Sequence, residues 1–179
     1  MKFLETPCVG LYVVELAPLD DDRGFFARSF CVREFEARGL VSVVAQCNIS
    51  FNKKAGTLRG LHFQAPPHEE TKLVRCTRGA IYDVAVDLRP GSSTYRHWYA
   101  TELTADNRRM MCIPGGFAHG FQTLLDDSEV FYQMSEFYHS ESGRGLRWDD
   151  PALAIPWPLA NPIMSEKDQT YPLLDRAQA

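Results

Sequence analysis

The sequence predicts an all-β protein, a sandwich or barrel of short strands with a few short helices. Three observations lead there. The apolar segments are short and rich in Val, Ile, Phe and Tyr. Each is bounded by Gly, Pro, Asn or Asp. Little of the chain reads as helix. At 179 residues the chain suits a single domain with a sizeable core.

Taken in order, "CVGLYVVEL" is β-branched and strand-like, and "PLDDDRGFF" follows as a turn marked by Asp and Gly. "REFEARGL" (33–40) is the clearest short helix, closed by Gly39. Further strand segments are "VSVVAQCNIS", "GTLRGLHFQ", "TKLVRCTRGAIYDVAVDL", "HWYATELT", "RRMMCIPGGFAHGFQTL" and "EVFYQMSEFY". The tail from about Trp148 is rich in Pro and Trp and is expected to pack on the barrel rather than form a second domain.

Composition narrows the function. The chain is 45% hydrophobic and 23% charged, which is ordinary for a soluble protein. A net charge of −4 argues against broad nucleic-acid binding, which needs a basic face. "MKFLETPCVGLYVVEL" has no long apolar region of the secretory kind, and no apolar run is long enough to span a bilayer. The five cysteines are scattered and odd in number, with no Cys-x-x-Cys, so reduced thiols in a cytoplasm are expected.

Side-chain alternation places the polar residues. In "IYDVAVDLR", Asp83 and Asp87 share a face with Ala85. In "VFYQMSEFY", Tyr132, Met134, Glu136 and Tyr138 share one. Strict alternation puts Arg59 and His62 of "TLRGLHFQ" on opposite faces. Gly60 lies between them, and a bulge there would bring both to one site.

Four kinds of chemistry are open to these residues. "PGGFAHGF" (114–121) resembles the second half of a cupin barrel signature, but His62 is followed by Phe63 and Gln64. His68, Glu69 and Glu70 lie beyond two prolines, so no metal-ligand set is read and no metal is expected. His62 is either a general base or a hydrogen-bonded structural residue. Lys72 either sits on a solvated face or stabilises an enolate, and Tyr132 either donates a proton or fills the core. Arg23, Arg59 and Lys72 could take a diphosphate. No P-loop, G-x-G-x-x-G or G-x-S-x-G occurs.

Six stretches occur in one order: "DRGFF", "GTLRGLHFQ", "KLVRCTRGAIYDVAVDLRPGS", "IPGGFAHGF", "RWDDPALAIPWP" and "SEKD". Together they closely resemble the dTDP-4-dehydrorhamnose 3,5-epimerase (RmlC) family over nearly the whole chain, about residues 3–175. The resemblance implies a cupin-type double-stranded β-helix, or jelly-roll barrel. It implies a homodimer without metal or organic cofactor, acting on a nucleotide-diphospho-4-keto-6-deoxy sugar.

It also implies roles. His62 is the base, Asp168 its orienting partner, Lys72 the enolate stabiliser and Tyr132 the acid, with Tyr138 a second candidate. Gln46, Asn48, Arg59, His119, Arg23 and Lys167 match substrate-binding positions. Phe26 matches an aromatic that stacks on the nucleotide base, supplied from across the dimer. An acid and a base on opposite sides of the sugar are what inversion of a carbon requires.

Two features depart from the family's pattern. Arg28 stands where a glutamate usually lies near the thymine ring. Arginine only donates, so Arg28 would suit cytosine N3, and a CDP-linked sugar is the alternative to an Arg28 turned to solvent or to a phosphate. Acidic Glu69 and Glu70 precede Lys72, and a carboxylate there would hold a charged ammonium and alter which sugar fits. The competing functions are a mono-epimerase, a non-catalytic sugar-nucleotide-binding cupin and a metal-dependent cupin.

Overall fold

A computed structural model describes residues 1–177. The strands are β1 (Lys2–Glu5), β2 (Tyr12–Glu15), β3 (Leu19–Asp21), β4 (Gly24–Phe26), β5 (Gln46–Asn52), β6 (Leu58–Gln64), β7 (Lys72–Arg78), β8 (Ala80–Asp87), β9 (Trp98–Thr104), β10 (Met110–Ile113), β11 (Phe117–Thr123), β12 (Ser128–Met134) and β13 (Gly143–Gly145). The helices are α1 (Val32–Glu36), α2 (Glu166–Gln169) and α3 (Leu174–Ala177). The all-β expectation holds, and so does the jelly-roll character.

A six-stranded sheet runs β1-β2-β10-β7-β12-β5 and a five-stranded sheet runs β13-β6-β11-β8-β9. Strands β3 and β4 pair only with each other. Several segments that read as single strands are two. Gly79, at φ +76°, separates β7 from β8, and Gly116, at φ +80°, lies in the turn between β10 and β11. Both need a left-handed backbone, which glycine adopts without steric cost. The helix at 33–40 is shorter than its sequence suggests, ending at Glu36, and Gly39 closes the following turn at φ +67°.

Alternation explains where core and site lie. Even residues of β7 and β12 and odd residues of β8, β10 and β11 face the space between the sheets. Val74, Cys76, Ile81, Ala85, Met111, Ile113, Phe117 and Val130 fill one part of it with apolar side chains. The same faces become polar toward one end, at Lys72, His119 and Tyr132. A second cluster covers the outside of the five-stranded sheet, where the tail residues Leu153, Ile155 and Leu174 pack on Leu61, Val84 and Ala118. A third joins Phe35 of α1 to Val14, Leu73 and Met110 on the outside of the six-stranded sheet. Burial of this apolar surface on both outer faces fixes the sheets around the polar end.

Candidate active site

The polar end opens as a cavity of about 730 Å³. Its walls come from both sheets: Arg59, His62 and Gln64 of β6 and His119 of β11 on one side, and Gln46, Asn48, Lys72 and Tyr132 of β5, β7 and β12 on the other. Tyr138, Lys167 and Asp168 complete it from the following loop and from α2.

A bulge brings Arg59 and His62 to one site. In the pairing of β11 with β6, His119 faces His62 and Phe121 faces Arg59, so three steps along β6 match two along β11. The extra residue shifts the parity, and both side chains reach the cavity. Gly60 makes this possible. It sits at φ +136°, and a Cβ on it would meet the Gly120 Cα at 2.5 Å.

His62 is paired. Its Nε2 lies 2.7 Å from Asp168 Oδ1, across 106 residues of sequence. With Nε2–H donating to that carboxylate, the lone pair lies on Nδ1. The aspartate is fixed locally, because Ser165 caps α2 and its Oγ accepts from the Asp168 N–H at 3.1 Å. Burial disfavours ionisation of Asp168, but the His62 hydrogen bond and charge and the Gly60 N–H outweigh it. The carboxyl is held below its ordinary value. Tyr171 packs edge-on against His62 at 5.7 Å between ring centroids.

Lys72 is not on a solvated face. Its side chain is 10% exposed and pairs with Glu70, itself 4% exposed, at 2.8 Å; Nζ also lies 3.4 Å from the His62 carbonyl oxygen. Tyr132 is half-buried. Burial pushes its phenol above the ordinary value, against the pull of the Arg59 charge and with a further push from Glu70. It therefore stays protonated at neutral pH, ready to donate.

The remaining polar groups are held in place or left free. Arg59 Nε donates to Asn52 Oδ1 at 2.8 Å. His119 Nε2 lies 2.7 Å from Asp83 Oδ1 in a second, buried pair. Burial raises the Asp83 carboxyl, opposed by His119 and Lys72. The side-chain NH₂ groups of Gln46 and Asn48 donate to the Met134 sulfur, at 3.6 and 3.5 Å, a weak acceptor that a ligand oxygen would displace, while Gln46 Oε1 accepts from the Tyr138 N–H at 3.1 Å. Gln64 ties the rim together, donating to the His68 and Phe137 carbonyls and accepting from the His139 N–H.

Three expected substrate residues lie elsewhere. Arg23 and Phe26 belong to the exposed β3–β4 hairpin, where Arg23 pairs with Asp21 at 2.6 Å and Phe26 is 72% exposed. Arg28 turns toward Glu34, at 3.3 Å. None of the three lines the cavity of its own chain, because the hairpin pairs with neither large sheet. The shared face of Tyr132 and Tyr138 is also corrected. Strand β12 ends at Met134, so Tyr138 reaches the cavity from a loop and Glu136 does not line it.

The sequence reading left Gln64, Asp83 and Tyr171 out of the site. Gln64 carried a signal, being two residues past His62 on the same strand face, and Asp83 carried one in sharing a face with Ala85. Tyr171 carried none.

A protein-family profile described as dTDP-4-dehydrorhamnose 3,5-epimerase matches residues 5–176. The chain belongs to this family. It is 46% identical over 155 residues to the dTDP-4-dehydrorhamnose 3,5-epimerase of Sinorhizobium fredii, covering 86% of this chain and 80% of that one. Among solved structures, the dTDP-4-dehydrorhamnose 3,5-epimerase of Bacillus anthracis, with TDP and PPi bound, superposes with a TM-score of 0.93 at 44% identity, over 97% of this chain and 99% of that chain. The RmlC epimerase of Legionella pneumophila, in complex with dTDP-4-keto-L-rhamnose, gives 0.90 at 38% identity, over 97% and 93% of the two chains. Membership in the epimerase family makes the cavity the natural place for the chemistry.

Proposed function

We propose that this enzyme, an epimerase of dTDP-4-keto-6-deoxy sugars, removes a proton beside the C4 ketone with His62 and returns one to the opposite face from Tyr132. The observation that carries this reading is that the two groups stand on different sheets and line one cavity, which Lys72 lines as well. Asp168 holds Nε2–H of His62 and stabilises the imidazolium once Nδ1 has taken the proton. The Lys72 ammonium takes the charge that develops on the ketone oxygen, a contribution of roughly 10²–10³ in rate for a fixed donor. Tyr132 then protonates the carbanion carbon from the other side.

Arg59 and Lys167 supply positive charge for the diphosphate, and Gln46, Asn48, His119 and Tyr138 supply contacts to sugar and base. Arg23, Phe26 and Arg28 would serve a second copy of the chain, a dimer favoured by the exposed apolar residues Leu19, Phe26, Val43 and Ile49. All five cysteines are free, which fits a reducing cytoplasm. Among the described residues no helix is long and apolar enough to cross a membrane.

Solvent deuterium incorporation into dTDP-4-keto-6-deoxyglucose, read by NMR, tests the reading. Wild type should incorporate label at C3 and C5, and His62→Ala should lower it by at least about 10²-fold. Tyr132→Phe should retain exchange through His62 while losing inversion. Label at one carbon only would mean a mono-epimerase, and none in wild type would refute the function.

A further inference from the structure

Among the described residues, two that line the cavity, Ser50 and Glu70, carry a buried oxygen without a hydrogen-bond partner, and of the two only Glu70 is a carboxylate paired with Lys72. Its carboxylate is buried beside Lys72, with Oε1 bonded to the ammonium at 2.8 Å. The other oxygen, Oε2, is buried and has no hydrogen-bond partner. Leaving such an atom unmatched is unfavourable, and buried polar groups are almost always satisfied. Glu70 lines the cavity, so the missing partner can come from what the cavity binds.

The chemistry of the substrate supplies it. Beside the C4 ketone of a 4-keto-6-deoxy sugar, C3 carries a hydroxyl, whereas C5 carries a methyl group and the ring oxygen. The hydroxyl on C3 is therefore the only donor next to the ketone oxygen. Lys72 and Glu70 offer a donor and then an acceptor, and the sugar offers an acceptor and then a donor. The three protons of the ammonium fit this order. One goes to Oε1, one points to the His62 carbonyl at 3.4 Å, and one is left for the ketone.

We propose that Glu70 determines substrate specificity: its free oxygen accepts a hydrogen bond from the C3 hydroxyl while its other oxygen holds Lys72 toward the ketone. This rests on the epimerase reading above, with Lys72 at the ketone oxygen. It adds a requirement that base, cation and acid alone do not impose, namely a hydroxyl at C3.

The test compares dTDP-4-keto-6-deoxyglucose with dTDP-4-keto-3,6-dideoxyglucose, which lacks that hydroxyl. The readout is kcat/KM for deuterium incorporation at C5, a carbon both sugars share. Wild type should prefer the hydroxylated sugar by about 10–100-fold, the range of a hydrogen bond to a charged group. Glu70→Leu should bring the ratio toward unity, and Glu70→Gln, which keeps a neutral acceptor of the same size, should give an intermediate ratio. The wild-type comparison needs no variant, so it decides even where Glu70→Leu fails to fold around an unpaired Lys72. A wild type indifferent to the hydroxyl overturns the inference. So does a Glu70→Leu enzyme whose two rates fall together at an unchanged ratio, since Glu70 then only positions Lys72. A wild type that labels neither sugar overturns the epimerase reading as well, which separates the two failures.

Discussion

At the scale of the residue, the decisive pair is His62 and Asp168. A histidine alone on a strand is ambiguous, because a free imidazole can carry its proton on either nitrogen. The 2.7 Å contact to a buried carboxylate removes the ambiguity by occupying Nε2 and leaving Nδ1 as the basic atom. Asp168→Asn would keep the volume but offer an amide in place of the charge, so the imidazolium would lose its stabilisation and the tautomer its restraint. Such a change is expected to lower kcat by about 10²–10⁴-fold. Binding of dTDP should be unchanged, because the nucleotide does not rely on the orientation of His62. Steady-state kinetics beside calorimetric titration with dTDP checks both parts, and a parallel loss of affinity would mean that Asp168 holds the cavity rather than the histidine. Asp168 could be assigned to His62 only through the resemblance. The sequence places them 106 residues apart, and no local pattern joins a helix in the tail to a strand in the barrel.

At the scale of the element, β6 shows what a strand pattern conceals. Alternation reads Arg59 and His62 onto opposite faces, and one extra residue undoes that reading. The glycine between them was the visible sign, and the tight approach of β6 to β11 is its cause: a Cβ at Gly120 would meet the Arg59 carbonyl oxygen at 2.8 Å, just as one at Gly60 would meet Gly120. Gly60→Ala therefore puts a methyl group into backbone and asks alanine for φ +136°. The expected cost is roughly 2–4 kcal/mol of stability. Activity should fall further than the folded fraction does, because the parity of Arg59 and His62 depends on this bulge. Thermal melts and kcat/KM on the same preparation separate the two effects, and an alanine variant with wild-type melting and turnover would show that the strand can register without glycine. The β3–β4 hairpin teaches the converse. Arg23 and Phe26 were assigned to the site, yet the hairpin bonds to neither large sheet and neither residue lines the cavity of its own chain, which no pattern in the sequence announces.

At the scale of the whole molecule, the all-β class was legible because short β-branched runs with turn residues between them have few other solutions. The order of strands in each sheet was not, since partners such as β5 and β12 are joined only by long-range pairing. The sandwich also buries carboxylates away from the reacting groups, and these set its response to acid. Asp87 is buried at the end of β8, where Arg89 Nε and Nη2, the Arg89 N–H, Ser92 and Thr94 all donate to it within 3.0 Å. Burial opposes its ionisation, but these donors win and bring its pKa to about 2 from an ordinary 3.8. Between those values the unfolded chain binds more protons than the folded one, so stability rises with pH there. The contribution is complete above about pH 4 and is lost as pH falls through about 2. Asp168 acts in the same direction, while the raised Asp83 acts against it. Asp87→Asn isolates one group: it should cost roughly 2–4 kcal/mol at neutral pH by leaving the Arg89 network without its charge. The difference from wild type should shrink as the pH is taken below 4, because protonation then does to Asp87 what the substitution has already done. Denaturant unfolding at a series of pH values measures this, and a difference that stayed constant into acid would mean that Asp87 stabilises the fold by packing rather than by charge.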